Sequence, residues 1–217
     1  MKAVKVLVVL YAAFLTGVLV SAFNVFQVRS IYFNYLALIR SEYHKPHIVF
    51  IGDSLIANNT PWPRSATGGV LNSVSVTQPG AVVEGLTLLA SSQSTPKSAD
   101  FVVISAGMNN SFQGQNALVF GKAYRALVNK ALSISPKVIV TLITPTQHAD
   151  INHNSLQLNR QIQKIAKERG LLVVDLSIDL SRNGFLLPQY TVDGVHLSRI
   201  GYKKWEKKIR LLTPYTL

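Results

Sequence analysis

Residues 49–58 read VFIGDSLIAN. Three apolar side chains run into Gly52, and an acid and a serine follow before the apolar pattern resumes. A short apolar run that stops on a glycine reads as a buried strand ending in a tight turn. Asp53 and Ser54 therefore stand where a strand hands over to the next element. Such a pair can serve the turn alone, or it can hold a hydroxyl out for chemistry.

Working outward, short apolar runs alternate with longer amphipathic ones. HIVFIG (47–52), SVSVT (73–77), FVVISAG (101–107), KVIVTLI (137–143) and LLVVDL (171–176) read as strands. AVVEGLTLLASS (81–92), residues 115–133, SLQLNRQIQKIAKERG (155–170) and a basic segment from about Ser198 read as helices. Gly170 is a natural helix stop, and the stretches 58–69 and 177–195 read as irregular. Strands that are mostly apolar throughout and separated by helices predict a parallel five-stranded sheet covered on both faces. In such a sheet ligands bind outside the carboxyl ends of the strands. Ser54, the Gly107–Asn110 segment and the Thr144–His148 segment are then expected on one edge.

The chain has 217 residues, 22 Lys and Arg against 10 Asp and Glu, and no cysteine. That length predicts one domain with a substantial core, and the absence of cysteine excludes disulfides and thiolate metal sites. Mean hydropathy is +0.24, and one segment explains much of it. Val6 to Val28 carries no charge and follows Lys2 and Lys5. It is long enough to span a bilayer core of about 30 Å, with the basic flank of an end retained inside. Residues 1–28 are therefore expected to be a transmembrane anchor or signal segment, with cleavage after Ala22 as the competing reading. Residues 29–46 read as a linker helix and 47–217 as the exported domain, in the periplasm or outside the cell. Lys203, Lys204, Lys207, Lys208 and Arg210 give the last helix a basic face, read as solvated and attracted to anionic lipid. No nucleic-acid-binding motif is present.

A serine hydroxyl needs a base to become a nucleophile, usually a histidine oriented by a carboxylate. Of five histidines, His196 in TVDGVHLS has such a neighbour, Asp193, three residues earlier. A D-x-x-H spacing alone is weak and often marks only a loop hydrogen bond. The negative oxygen formed in acyl transfer needs donors already aimed at it. The candidates are the backbone N–H of Ser54, the backbone N–H of Gly80, read as opening a helix, and the side-chain amide of Asn109. Gly85 rivals Gly80 but is expected inside the helix with its amide used. Asp53 reads as a support of the turn, His148 and His153 as surface-loop residues, and Trp62 as a pocket wall or local packing.

GDSL at 52–55, a glycine opening the next helix, GMNN at 107–110 and DGVH at 193–196, in this order, resemble the SGNH or GDSL hydrolase family over about residues 47–212. The resemblance implies a three-layer α/β/α flavodoxin-like sandwich and no cofactor or metal. It implies Ser54 as nucleophile, His196 as base, Asp193 as its orienting partner, and Ser54, Gly80 and Asn109 as oxyanion donors. Two departures stand: the third block usually reads G-x-N-D, and Asn110 stands in place of the aspartate; and the second block is loose, with Gly85 beside Gly80. The implied activity is ester hydrolysis through an acyl-Ser54 intermediate, with an acylated envelope or extracellular carbohydrate expected as substrate. A lysophospholipase- or thioesterase-like lipid hydrolase, an O-acyltransferase and a non-catalytic acyl-glycan binding module are the alternatives.

Overall fold

The computed structural model describes residues 45–60, 62, 73–92 and 95–214. The expected membrane segment and nearly all of the expected linker helix lie outside these residues. Among the described residues no helix is long and apolar enough to cross a membrane.

Five strands form one sheet: β1 (Ile48–Gly52), β2 (Ser73–Thr77), β3 (Phe101–Ser105), β4 (Val138–Thr141) and β5 (Leu172–Val174). Their order is β2-β1-β3-β4-β5, and every pairing is parallel. The chain winds from β1 to β2 on one side, then returns past β1 to β3 on the other. The connections leaving β1 and β3 thus run in opposite directions and open a crevice at the carboxyl edge. β1, β3 and β4 are buried along their whole length. That is why they read as unbroken apolar runs, since both faces are covered. β5 closes one side of the sheet and leaves Leu172 and Val173 exposed.

The helices are α1 (Ser54–Ala57), α2 (Val83–Ala90), α3 (Met108–Phe112), α4 (Ala117–Leu132), α5 (Ala149–Arg169), α6 (Ser177–Leu180) and α7 (Arg199–Leu212). α2 packs on α4 and α4 on α5, forming one outer layer. α7 belongs to the opposite layer. Its Trp205 meets Trp62 edge-on at 5.0 Å, and Trp62 stacks on Phe50 of β1 at 4.3 Å. Successive strand side chains point to opposite faces, so Phe50 serves this layer and Val49 and Ile51 the other. All three aromatic side chains are fully buried. The three-layer expectation is met.

The elements depart from the sequence reading at three places in particular. α2 opens at Val83, not at Ala81, because Pro79 and Gly80 sit at the centre of a turn. There Ala81 N–H donates to the Gln78 carbonyl at 3.1 Å, and Gly80 has φ +76°, the backbone of a type II turn with Pro before Gly. α5 starts at Ala149, six residues early, because its first turns are polar (ADINHN) and show no apolar period. Asp150 in that first turn is favoured by the helix dipole. His153 lies in this helix rather than on a loop. The 177–195 stretch is not structureless: it holds α6, the short antiparallel pair β6 (Ser181–Arg182) and β7 (Phe185–Leu186), and a 3-10 turn, Pro188–Tyr190.

Candidate active site

Ser54 is the first residue of α1, one residue past β1 and its Asp53 connector. Asp53 caps that helix, its Oδ1 accepting from Leu55 N–H at 3.0 Å. The turn is tight: a Cβ on Gly52 would collide with the Ser105 carbonyl oxygen and the Ile56 side chain. Only glycine lets β1 approach β3 this closely while the chain bends into α1. Tyr202 of α7 donates its hydroxyl to the Leu55 carbonyl at 2.9 Å, tying α1 to the layer beneath it. Ser54 itself is partly exposed.

The opposite wall is the 191–197 loop, 142 residues along the chain from Ser54. Thr191 and Leu197 pair as an antiparallel bridge. Within it, the Thr191 hydroxyl donates to the His196 carbonyl at 2.8 Å and accepts from Gly194 N–H at 2.8 Å. Asp193 Oδ1 accepts from the backbone N–H of Val195 at 3.0 Å and of His196 at 2.7 Å. Its other oxygen, Oδ2, lies 2.6 Å from His196 Nδ1. His196 Nε2 then stands 2.9 Å from Ser54 Oγ. The three side chains form one hydrogen-bonded series. With Nδ1–H given to Asp193, Nε2 is left with a lone pair toward the serine. Partial burial pulls the Asp193 carboxyl upward, but the His196 side chain and amide, the Val195 amide and the imidazole's charge outweigh it and hold it below its ordinary range.

On the third side stand the expected oxyanion donors. Gly80 lies exposed in its turn, with open space where a Cβ would be. It does not open α2; Val82 is the cap residue, and Gly80 precedes it by two. The ground for setting Gly85 aside also changes. Gly85 is the third residue of α2, where amides lack an intrahelical acceptor; the first such bond runs from Leu86 N–H to the Val82 carbonyl at 3.1 Å. Asn109 donates from Nδ2 to the Ala81 carbonyl at 3.0 Å. An amide nitrogen carries two hydrogens, so the second remains for a ligand. Ser54 N–H is the first amide of α1 and likewise has no intrahelical partner.

Two acids flank the serine and differ. Asp53 is 1% exposed, and burial pushes its carboxyl up to about 6, against the Leu55 amide and the charge of His196. Trp62 is core, not pocket wall, as its stack on Phe50 shows. His148 is the residue before α5, and its ring borders Gly194: Gln147 N–H donates to the Gly194 carbonyl at 2.8 Å, and a Cβ on Gly194 would lie 3.4 Å from His148 Nε2. Ile200, in the first turn of α7, is exposed. Lys208, read with its solvated side, is held by the Asp175 carbonyl at 2.9 Å and by Asp179 at 2.7 Å. Thr191 and Tyr202 were not legible as site supports, because their partners come from distant segments or from backbone atoms. Among the described residues no cluster of His, Asp or Glu could hold a metal ion.

A parallel sheet whose carboxyl edge carries a Ser–His–Asp series beside free amide donors defines a serine-type acyl hydrolase class. The chain belongs to the GDSL-like lipase/acylhydrolase family, whose model matches residues 50–204, and it is a carboxylic ester hydrolase by that membership. No curated protein matches at the sequence level. Among solved structures, a GDSL-like lipase from Bacteroides thetaiotaomicron is 22% identical, with 82% of this chain and 95% of that one covered and a TM-score of 0.68. An acetyl xylan esterase is 20% identical, covering 77% of this chain and 99% of its own, with a TM-score of 0.60. A catalytic mutant of an acetylxylan esterase from Geobacillus stearothermophilus is 16% identical, covering 78% and 94%, with a TM-score of 0.61.

Proposed function

We propose that this acylhydrolase removes short acyl groups, acetyl above all, from an envelope or extracellular carbohydrate through an acyl-Ser54 intermediate. The observation that carries the reading is the unbroken series from Ser54 Oγ through His196 to Asp193, at 2.9 and 2.6 Å. In this reading Ser54 Oγ attacks the ester carbonyl carbon as His196 Nε2 takes its proton. The carbonyl oxygen becomes an oxyanion facing Gly80 N–H, Asn109 Nδ2 and Ser54 N–H; one such donor contributes about 2.7–4 kcal/mol. Collapse breaks the ester C–O bond, and the leaving alkoxide receives the proton from His196. A water then gives its proton to His196 and attacks the acyl carbon. Collapse releases the carboxylic acid and returns the proton to Ser54. Asp193 holds the imidazole in the required tautomer and faces its positive charge.

The acetyl preference is supported by the likeness of the fold to the two acetyl xylan esterases. The carbohydrate and the location are supported by the apolar, uncharged Val6–Val28 segment, which would hold the domain beside envelope polymers. One observation favours a second substrate, a lipid ester: α7 exposes Arg199, Lys203, Lys204, Lys207 and Arg210 together with Ile200 and Leu211, a face suited to anionic lipid. Hydrolysis of p-nitrophenyl acetate and octanoate, with Ser54→Ala alongside, separates the two. Acetate preference that vanishes in the variant supports deacylation of carbohydrate. Octanoate preference moves the reading to lipid, and equal rates in both proteins would remove the serine mechanism.

A further inference from the structure

Behind the expected oxyanion side lies a closed ring of hydrogen bonds. Asn110 is fully buried, and its side chain has every polar hydrogen and its oxygen engaged. Oδ1 accepts from Val83 N–H, the first amide of α2, at 3.1 Å. Nδ2 donates to Glu84 Oε2 at 3.3 Å and to Gln115 Oε1 at 2.7 Å. Gln115 Nε2 closes the ring on Glu84 Oε1 at 2.9 Å, and Gln115 N–H returns to the Asn110 carbonyl at 3.0 Å. Next to it, Asn109 donates to the Ala81 carbonyl. Two adjacent residues of α3 thus clamp the 81–84 segment, which follows Gly80 directly.

We infer that Asn110, Glu84 and Gln115 act as positioning residues that set the separation of the Gly80 and Asn109 donors, and that Asn110 must be an amide because Glu84 faces it. The inference rests on the proposed serine mechanism. Among the described residues Gly80 has no packing contact where a side chain would be, so its place relative to Asn109 depends on how the 81–84 segment is held. A carboxylate at 110 could still accept from Val83 N–H. It could not donate to Glu84 or Gln115, and it would set two like charges in a partly buried site, which raises the proton affinity of one of them. The amide therefore matches the acid at 84, and a Gln at 84 would relieve the charge of a carboxylate at 110 without satisfying every contact of the ring.

The experiment is a swap in the full chain, assayed on p-nitrophenyl acetate. Asn110→Asp is expected to lower kcat about tenfold or more with KM little changed, because the affected groups bind the transition state. The loss relative to the parent should shrink between pH 8 and pH 6 as the carboxylate pair takes up a proton. Asn110→Asp combined with Glu84→Gln removes the like-charge pair and returns two of the ring's three hydrogen bonds, and should recover part of kcat. Thermal melting of each variant separates positioning from folding. If Asn110→Asp lowers Tm but leaves kcat unaltered, or if Glu84→Gln in its presence gives no recovery, the inference is wrong. Failure of the serine mechanism would show differently, as Ser54→Ala retaining the parent's rate.

Discussion

Two aspartates flank the same serine and histidine, and they live in opposite surroundings. Asp193 is half exposed at the end of a loop and pairs with His196 Nδ1 at 2.6 Å. Asp53 is buried under α1, and one of its oxygens has no hydrogen-bond partner among the described residues. The imidazole's hydrogen bond and two backbone amides keep Asp193 below its ordinary range, while burial raises Asp53 to about 6. The difference shows how environment, not residue type, assigns the work. An ionised, hydrogen-bonded carboxylate orients a base. A buried one caps a helix and acts on the site only through its charge.

Substitutions can break or sharpen that contrast. Asp193→Asn should lower kcat about 10⁴-fold, since the amide can leave the imidazole in the wrong tautomer; steady-state ester hydrolysis measures it. A loss under about tenfold would make Asp193 no more central than Asp53. Asn109→Ala supplies a scale from the oxyanion side, with an expected loss in kcat of about 10²–10³-fold. Asp53→Asn should cost only about tenfold in kcat, because Leu55 N–H keeps an acceptor.

The smallest effect is on stability, and its sign follows from the raised carboxyl. The unfolded chain loses the Asp53 proton near the ordinary 3.8, the folded chain near about 6. Between these values the folded state binds more protons, so this group lowers stability as pH rises from about 4 to 6, by up to about 3 kcal/mol in total. Asp53→Asn should therefore be more stable than the parent at pH 8 in urea unfolding, with the advantage fading below about pH 4. An advantage that grows in acid would contradict the buried-carboxyl reading.

The sheet was legible because its central strands are buried on both faces and so carry unbroken apolar runs; β2 matches residue for residue. That Ser54, Asp193 and His196 could meet was legible because Ser54 follows a strand end and Asp193 and His196 lie three residues apart in one loop. The start of α5 was not, since ADINHN has no apolar period and the helix there is held by its cap and by packing further along. Gly80 was misread as opening a helix because a Pro–Gly turn and a helix start share the same residues. The Asn110 ring was invisible as well. Two of its partners are 26 to 27 residues away on α2, and nothing in GMNN announces that the second amide answers a glutamate. Trp62 lies in an irregular stretch yet belongs to the core, because Phe50 and Trp205 meet it from separate layers.

The central claim is that Ser54 is a nucleophile activated by His196. Intact-mass analysis after reaction with a fluorophosphonate, followed by peptide mapping, tests it most directly. The account predicts one adduct, located on Ser54, and much slower labelling in Asp193→Asn. An unlabelled parent protein, or an adduct that persists in Ser54→Ala, would contradict it.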